Sequence, residues 1–310
     1  MTRLVAVFVD RPDWHARRLE TALSMRGWRA AFVSLRDCGF WIGGGSGLAL
    51  PGFETALPDA AFVRCIPGGS FEQVTLRLGV LHALREAGVP VCNDARAIER
   101  CVDKSMTSFM LQQAGVSTPD TWVCETPAKA AAIVAREAKP DAPLVLKPLF
   151  GSQGRGLKLI AEPAELPPSE ELDGVFYLQR LVPVAEPGWR DYRVLVAGGR
   201  PVAAMRREGI NWITNAKQGA DCEGVPLDPP LARLAVAAAA AVGAGYAGVD
   251  IIRDREGEHF VLEVNSMPAW SSLQRVNQID VTQGIVDAVL ATDFASDEPQ
   301  IPPLREATGD

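Results

Sequence analysis

The sequence predicts an α/β chain of more than one domain, opening with a doubly wound parallel sheet and continuing as α+β subdomains. Three observations carry that expectation. A chain of 310 residues exceeds what one ordinary core serves, which points to two or three domains. Residues 4–93 alternate short β-branched apolar runs with helix-period segments closed by glycine, the pattern of parallel strands joined by crossover helices. Further along, apolar strands come in pairs about glycine-containing turns, the pattern of antiparallel hairpins.

The run 4–9 is a first strand; six apolar residues stopping at Asp10 are too few for a signal-peptide core or a membrane span. Residues 13–26 form a helix ended by Gly27, and 29–35 a second strand. The segment 41–47 has the glycines of a phosphate cradle. It lacks the strand-then-helix context and a following Lys-Ser/Thr, so it reads as a mobile surface loop. A third strand at 60–66, a helix at 71–87 closed by Gly88 and a fourth strand at 89–93 complete this domain, which carries no catalytic triad or metal cluster.

Residues 95–114 are helical and contain Asp103-Lys104; a strand at 121–124 and a helix at 128–138 follow. The strand 143–148 is apolar with Lys147 near its end, and the loop 151–156 leads to a strand at 157–160. This glycine loop lies between strands, so it is neither a Walker loop nor a Rossmann turn. As a hairpin tip it can fold over a triphosphate, with backbone N–H groups and Ser152 as donors. A polar linker (163–172), a buried strand (174–182) and a turn (183–188) come next. Residues 191–196 and 200–206 form a hairpin about Gly198-Gly199, and 212–219 a polar loop. The Ala-rich helix 231–244 reflects close packing; a last helix spans 280–290, and the tail from about 296 reads as disordered.

A net charge of −7 without a basic run argues against nucleic acid as the main partner. Six cysteines show no Cys-x-x-Cys pair and no metal spacing with the three histidines, which suits reduced thiols in a cytoplasmic protein.

The most informative stretch is 248–265, two β-branched runs around a polar centre with Gly257. A turn centred on Glu256-Gly257 sets Asp250 opposite Glu263, and alternation puts Asn265 on the face of Glu263. Two carboxylates across a strand pair repel. A divalent cation reverses that sign, and two carboxylates plus an amide oxygen form a hard donor set of the kind Mg²⁺ prefers. The competing reading leaves Asp250 in a loop and Glu263 on a solvated face.

In order along the chain, Asp103-Lys104, Lys147-Pro148, the loop Gly151-Ser152-Gln153-Gly154-Arg155-Gly156, Gln179-Arg180-Leu181-Val182, Asp191-Tyr192-Arg193, Thr214-Asn215, Gly248-Val249-Asp250 and Glu263-Val264-Asn265 resemble the ATP-grasp superfamily. Within it the chain is similar to the branch of RimK-type glutamate ligases, LysX-type carrier ligases and tetrahydromethanopterin glutamate ligases, over roughly residues 95–290. The resemblance implies a pre-ATP-grasp domain (1–94), a central subdomain with the glycine lid (95–178), a C-terminal subdomain with the metal site (179–295) and a tail (296–310). It implies ATP with Mg²⁺, or Mn²⁺ in its place. Lys104 and Lys147 would contact phosphates, the 151–156 loop would cover them, and Gln179 to Val182 would form the adenine hinge. Glu186 would accept from the ribose hydroxyls, at a longer spacing from the hinge than RimK-type chains show. Asp250, Glu263 and Asn265 would hold the metal, and Arg193, Arg206 and Asn215 would face the phosphoryl and acyl groups. A homo-oligomer is also implied.

Two departures stand out. Gln179-Arg180 replaces an acid found in many relatives' hinges, and Ser266-Met267-Pro268-Ala269-Trp270 replaces the usual Pro-Gly after the asparagine. Trp270 either packs or stacks on a flat acceptor. The stretch from Pro268 to Gln274 leans toward the pterin-type ligases.

The chemistry implied is amide formation between a carboxylate acceptor and a glutamate-like amine, after phosphorylation of the carboxylate. The alternative from another class is a Mg·ATP-binding module without turnover, acting through partner contacts. A dinucleotide oxidoreductase is excluded, since no Gly-x-Gly-x-x-Gly turn follows the first strand.

Overall fold

The computed structural model describes residues 2–43, 45–151, 154–185 and 188–294, so Ser152, Gln153, Glu186 and the proposed tail lie outside the described residues. Contacts divide the chain into two units, residues 1–95 with the stretch from Val286, and residues 96–285.

The first unit runs β1 (Arg3–Phe8), α1 (Trp14–Ser24), β2 (Trp28–Val33), β3 (Gly39–Phe40), β4 (Leu48–Ala49), β5 (Ala60–Val63), α2 (Phe71–Glu86) and β6 (Val91–Cys92). Four of its strands lie parallel in the order β2-β1-β5-β6, so the chain winds both ways from β1, as the alternating pattern predicts. Both helices start on side-chain caps: Asp13 accepts from the Ala16 N–H, and Ser70 with Gln73 forms a capping box. Of the glycine segment, residues 41–43 and 45–47 lie between the two-residue strands β3 and β4, with Trp41 and Ile42 exposed; Gly44 lies outside the described residues.

The second unit runs α3 (Ala95–Val102), α4 (Lys104–Gln113), β7 (Thr121–Cys124), α5 (Pro127–Glu137), β8 (Leu144–Lys147), β9 (Lys158–Ile160), β10 (Phe176–Arg180), β11 (Trp189–Ala197), β12 (Arg200–Gly209), β13 (Asp221–Gly224), α6 (Pro229–Val242), β14 (Tyr246–Arg253), β15 (His259–Asn265), α7 (Ser271–Val276) and α8 (Val281–Ala291), the last of which continues into the first unit at Val286. The single helix expected over 95–114 is two. Asp103 breaks it, because its carboxylate accepts from the N–H groups of Ser105 and Met106 and starts a new helix with Lys104 at the first position. The edge strand β13 and the short α7 were not anticipated; Asp-Cys-Glu-Gly has little strand propensity, and pairing with β12 imposes it.

Two antiparallel sheets build this unit. In β7-β10-β8-β9, Leu144, Leu146, Phe176 and Leu178 pack on Ala130 and Val134 of α5, which by alternation turns Val145, Lys147, Tyr177 and Gln179 to the other face. In β13-β12-β11-β14-β15, Val194, Ala204, Val249, Ile251, Val261 and Val264 pack on Ala235, Ala238 and Ala239 of α6, whose alanines let helix and sheet approach closely. The opposite face carries Asp191, Arg193, Arg207, Asp250, Glu263 and Asn265.

Candidate active site

These two polar faces line one cleft. Five basic side chains line it (Lys104, Lys147, Arg155, Arg180, Arg207) against three acidic ones (Asp191, Asp250, Glu263). The cleft is therefore positive inside a chain of net charge −7, which suits an anionic ligand.

The acids and arginines form a lattice. Arg193 grips Asp250 through both oxygens, Nε–Oδ1 at 2.7 Å and Nη2–Oδ2 at 2.6 Å. Arg207 forks onto Asp191, with Nε 2.6 Å from Oδ1, and reaches Asp250 Oδ2 at 3.0 Å. Burial pushes the Asp250 carboxyl up, but Arg193 and Arg207 outweigh it and hold the group far below the usual carboxylate range. For Asp191 burial prevails over Arg207 and raises the carboxyl.

Across the cleft, Lys147 ends β8 and donates to Gln179 Oε1 at 2.6 Å. Burial lowers its ammonium to about 8, against the attraction of Glu263. Lys104 donates to the carbonyls of Leu149 and Gly151, at 3.1 and 2.9 Å, which ties helix α4 to the start of the glycine loop. Among the described residues neither lysine has a carboxylate within ion-pair distance.

The paired strands β14 and β15 place Asp250 opposite Glu263, with Asn265 Nδ2 2.8 Å from Glu263 Oε1. The expected pairing is thus present, although the turn is centred on Glu256. Arg253 faces His259 and Ile251 faces Val261; a bulge at Leu262 then restores the offset that brings Glu263 to Asp250. As a metal site this set fits Mg²⁺. Asn265 uses its amide nitrogen on Glu263 and the Gly248 carbonyl; among the described residues its carbonyl oxygen and the second Glu263 oxygen have no hydrogen-bond partner. Asp250 spends three of its four lone-pair directions on arginines and keeps one on Oδ1. Among the described residues no three or more His, Cys, Asp or Glu come together in a group that could hold a metal ion, and two acids with an amide suit an ion that keeps several waters.

The family model of the RimK-like ATP-grasp domain matches residues 101–289.

The chain belongs to the RimK-like ATP-grasp family.

The tetrahydromethanopterin:alpha-L-glutamate ligase of Methanococcus maripaludis is 36% identical over 236 residues, 74% of this chain and 78% of that protein. The alpha-aminoadipate–LysW ligase LysX of Saccharolobus solfataricus is 28% identical over 216 residues, 66% of this chain and 75% of that protein. Among solved structures, the ATP-grasp ligase PsnB, complexed with a phosphomimetic variant of its minimal precursor, Mg and ADP, superposes with a TM-score of 0.72 at 22% identity, over 94% of this chain and 99% of that one.

In this RimK-like ATP-grasp chain the cleft gathers Lys104, Lys147, Gly151, Gly154, Arg155, Gln179, Arg180, Leu181, Val182, Asn215, Asp250 and Glu263. Arg193 and Asn265 sit just behind, bonded to Asp250 and Glu263. Gly156 supports the loop: at φ +72°, a Cβ there would lie 2.8 Å from Pro148 Cγ. Asn215 lines the cleft while its side chain caps a short turn, accepting from the Lys217 N–H at 2.9 Å.

Arg206 is a correction. It lies on the α6 face of β12, bonded to Glu223 at 2.6 Å, and Arg207 takes the cleft position. The reason is a bulge at Val202. With an unbroken ladder from the Ala197–Arg200 pair, Arg206 would face Asp191; the extra residue substitutes Arg207. Trp270 is fully buried and donates to Thr282 Oγ1 at 2.9 Å, so it packs and is closed to an acceptor. The sequence reading also missed Asp191 and Trp212 as cleft walls; parity with Arg193 along β11 was the available signal for Asp191. Among the described residues no helix is long and apolar enough to cross a membrane.

Proposed function

We propose that this chain is an ATP-dependent carboxylate–amine ligase that joins L-glutamate, or a similar amino acid, to a pterin-type or peptide acceptor through an acyl phosphate. The observation that carries this reading is the juxtaposition, in one positive cleft, of two lysines that have no carboxylate partner among the described residues and the oxygen donors of Glu263 and Asp250, with Asn265 just behind. Glutamate-ligase relatives support the amino acid, and the PsnB complex with Mg and ADP supports the nucleotide.

A carboxylate is a poor electrophile, and bound Mg·ATP supplies the phosphoryl group that activates it. Lys104 and Lys147 hold the phosphate tail, while Glu263, Asn265 and the remaining Asp250 direction would hold the metal. Leu181 and Val182, beyond the end of β10, offer backbone groups to the base. The glycine loop, pinned at its start by Lys104, keeps water from the acyl phosphate. Arg207 and Arg193 then face the charge that develops on the acyl oxygen when the amine attacks. No protein nucleophile is required.

The test is product formation. Full-length protein with ATP, Mg²⁺ and L-glutamate, screened against pterin and peptide carboxylates, is expected to release ADP and phosphate only when both substrates are present, with a new amide seen by mass spectrometry. Tight ATP binding without phosphate release on any pair would instead favour the inactive module.

A further inference from the structure

We propose that Gln179 is the positioning residue of this cleft, a neutral clamp that fixes the Lys147 ammonium toward the nucleotide without cancelling its charge. The inference rests on the nucleotide reading above and deepens it. Gln179 is 1% exposed, and its amide is the sole hydrogen-bond partner of Lys147 among the described residues.

The orientation of that amide follows from protons. Thr121 Oγ1 donates its hydrogen to the Pro119 carbonyl at 2.8 Å, so toward Gln179 it can only accept. The group 3.0 Å from it must therefore be the Gln179 NH₂, which also reaches Tyr177 OH at 3.1 Å. Tyr177 OH is in turn 2.8 Å from Ser108 Oγ. With both amide hydrogens committed, Gln179 Oε1 points to Lys147 Nζ. The chain Ser108, Tyr177, Gln179 and Lys147, fully buried at Tyr177 and Gln179, holds a long flexible side chain in one place.

A glutamate at 179 would break this in two ways. It would form an ion pair with Lys147 and remove the free positive charge that an anionic ligand needs. It would also face Thr121 with an acceptor against an acceptor. A glutamine holds the ammonium without adding a charge.

The experiment is a double-variant cycle read by calorimetric ATP binding in Mg²⁺ on the full chain, with folding checked by circular dichroism. Gln179→Glu is expected to weaken ATP at least tenfold and to raise KM for ATP more than it lowers kcat. In a Lys147→Met background the same change is expected to move affinity less than twofold, because the clamp acts only through the lysine. Thr121→Val, a milder change that leaves Gln179 in place, is expected to cost two- to fivefold, again only with Lys147 present. Equal losses in both backgrounds, or no loss in Gln179→Glu, would overturn the proposal. Should the wild-type chain fail to bind ATP at all, the nucleotide reading itself falls, an outcome distinct from a neutral Gln179→Glu.

Discussion

At Arg207 one guanidinium serves two buried carboxylates, Asp191 and Asp250, and is itself 3% exposed. Removing it leaves Asp191 uncompensated and Asp250 with Arg193 alone, whereas Arg206 pairs with exposed glutamates. Arg207→Ala is therefore expected to cost about 3–5 kcal/mol in urea unfolding and about 10²–10³-fold in turnover. Arg206→Ala is expected to stay within about 0.5 kcal/mol and threefold. Equal effects would return the role to Arg206. Lys147 sets a pH dependence. In the free protein its ammonium titrates near 8, and phosphate nearby would raise that value, so binding takes up a proton. Affinity for ATP is expected to fall as pH rises through 8, with proton uptake on binding seen in buffers of different ionisation enthalpy. The fold feels the opposite sign. Since the lysine is depressed relative to 10.5 when folded, it destabilises below about 8, and its contribution to stability improves from there to 10.5. Lys147→Met should accordingly unfold at higher temperature at pH 7, gaining on the order of 1–3 kcal/mol, while ATP binding is weakened but still measurable.

Two bulges decide which side chains of the second sheet face the cleft. Leu262 on β15 brings Glu263 to Asp250, and Val202 on β12 brings Arg207 to Asp191. Neither is visible in composition, because Val and Leu are ordinary strand residues; parity counted along an ideal ladder fails at such points. The acid pair was legible all the same, since an assumed turn one half-residue away compensated for the bulge. Arg206 was misassigned for lack of the same luck. The break at Asp103 was legible in principle, as an aspartate two residues before Ser105 is an N-cap signal inside a helical run. The glycine loop can be probed as an element. Gly156 combines φ +72° with a 2.8 Å approach to Pro148, so Gly156→Ala is expected to destabilise by about 1–2 kcal/mol and to slow turnover about tenfold by displacing the loop. Thermal unfolding and steady-state rates of that variant check both.

Over the whole molecule, the parallel sheet, the two antiparallel sheets and the order of the motifs were readable because hydrophobic period and glycine punctuation are local signals. What was not readable depends on register and on distant contacts, as with β13 and the bulge at Val202. An acidic chain that keeps a positive cleft concentrates anionic ligands there, so the account stands or falls on that cleft's metal-side donors. Glu263→Ala tests it most directly, because Glu263 has an open oxygen and no ion pair closer than 3.9 Å, which spares the arginine lattice. In a Mg²⁺ titration of ATP turnover with amino acid and acceptor present, the account predicts a loss of at least about 100-fold together with a higher Mg²⁺ requirement. Turnover and Mg²⁺ dependence equal to wild type would contradict it.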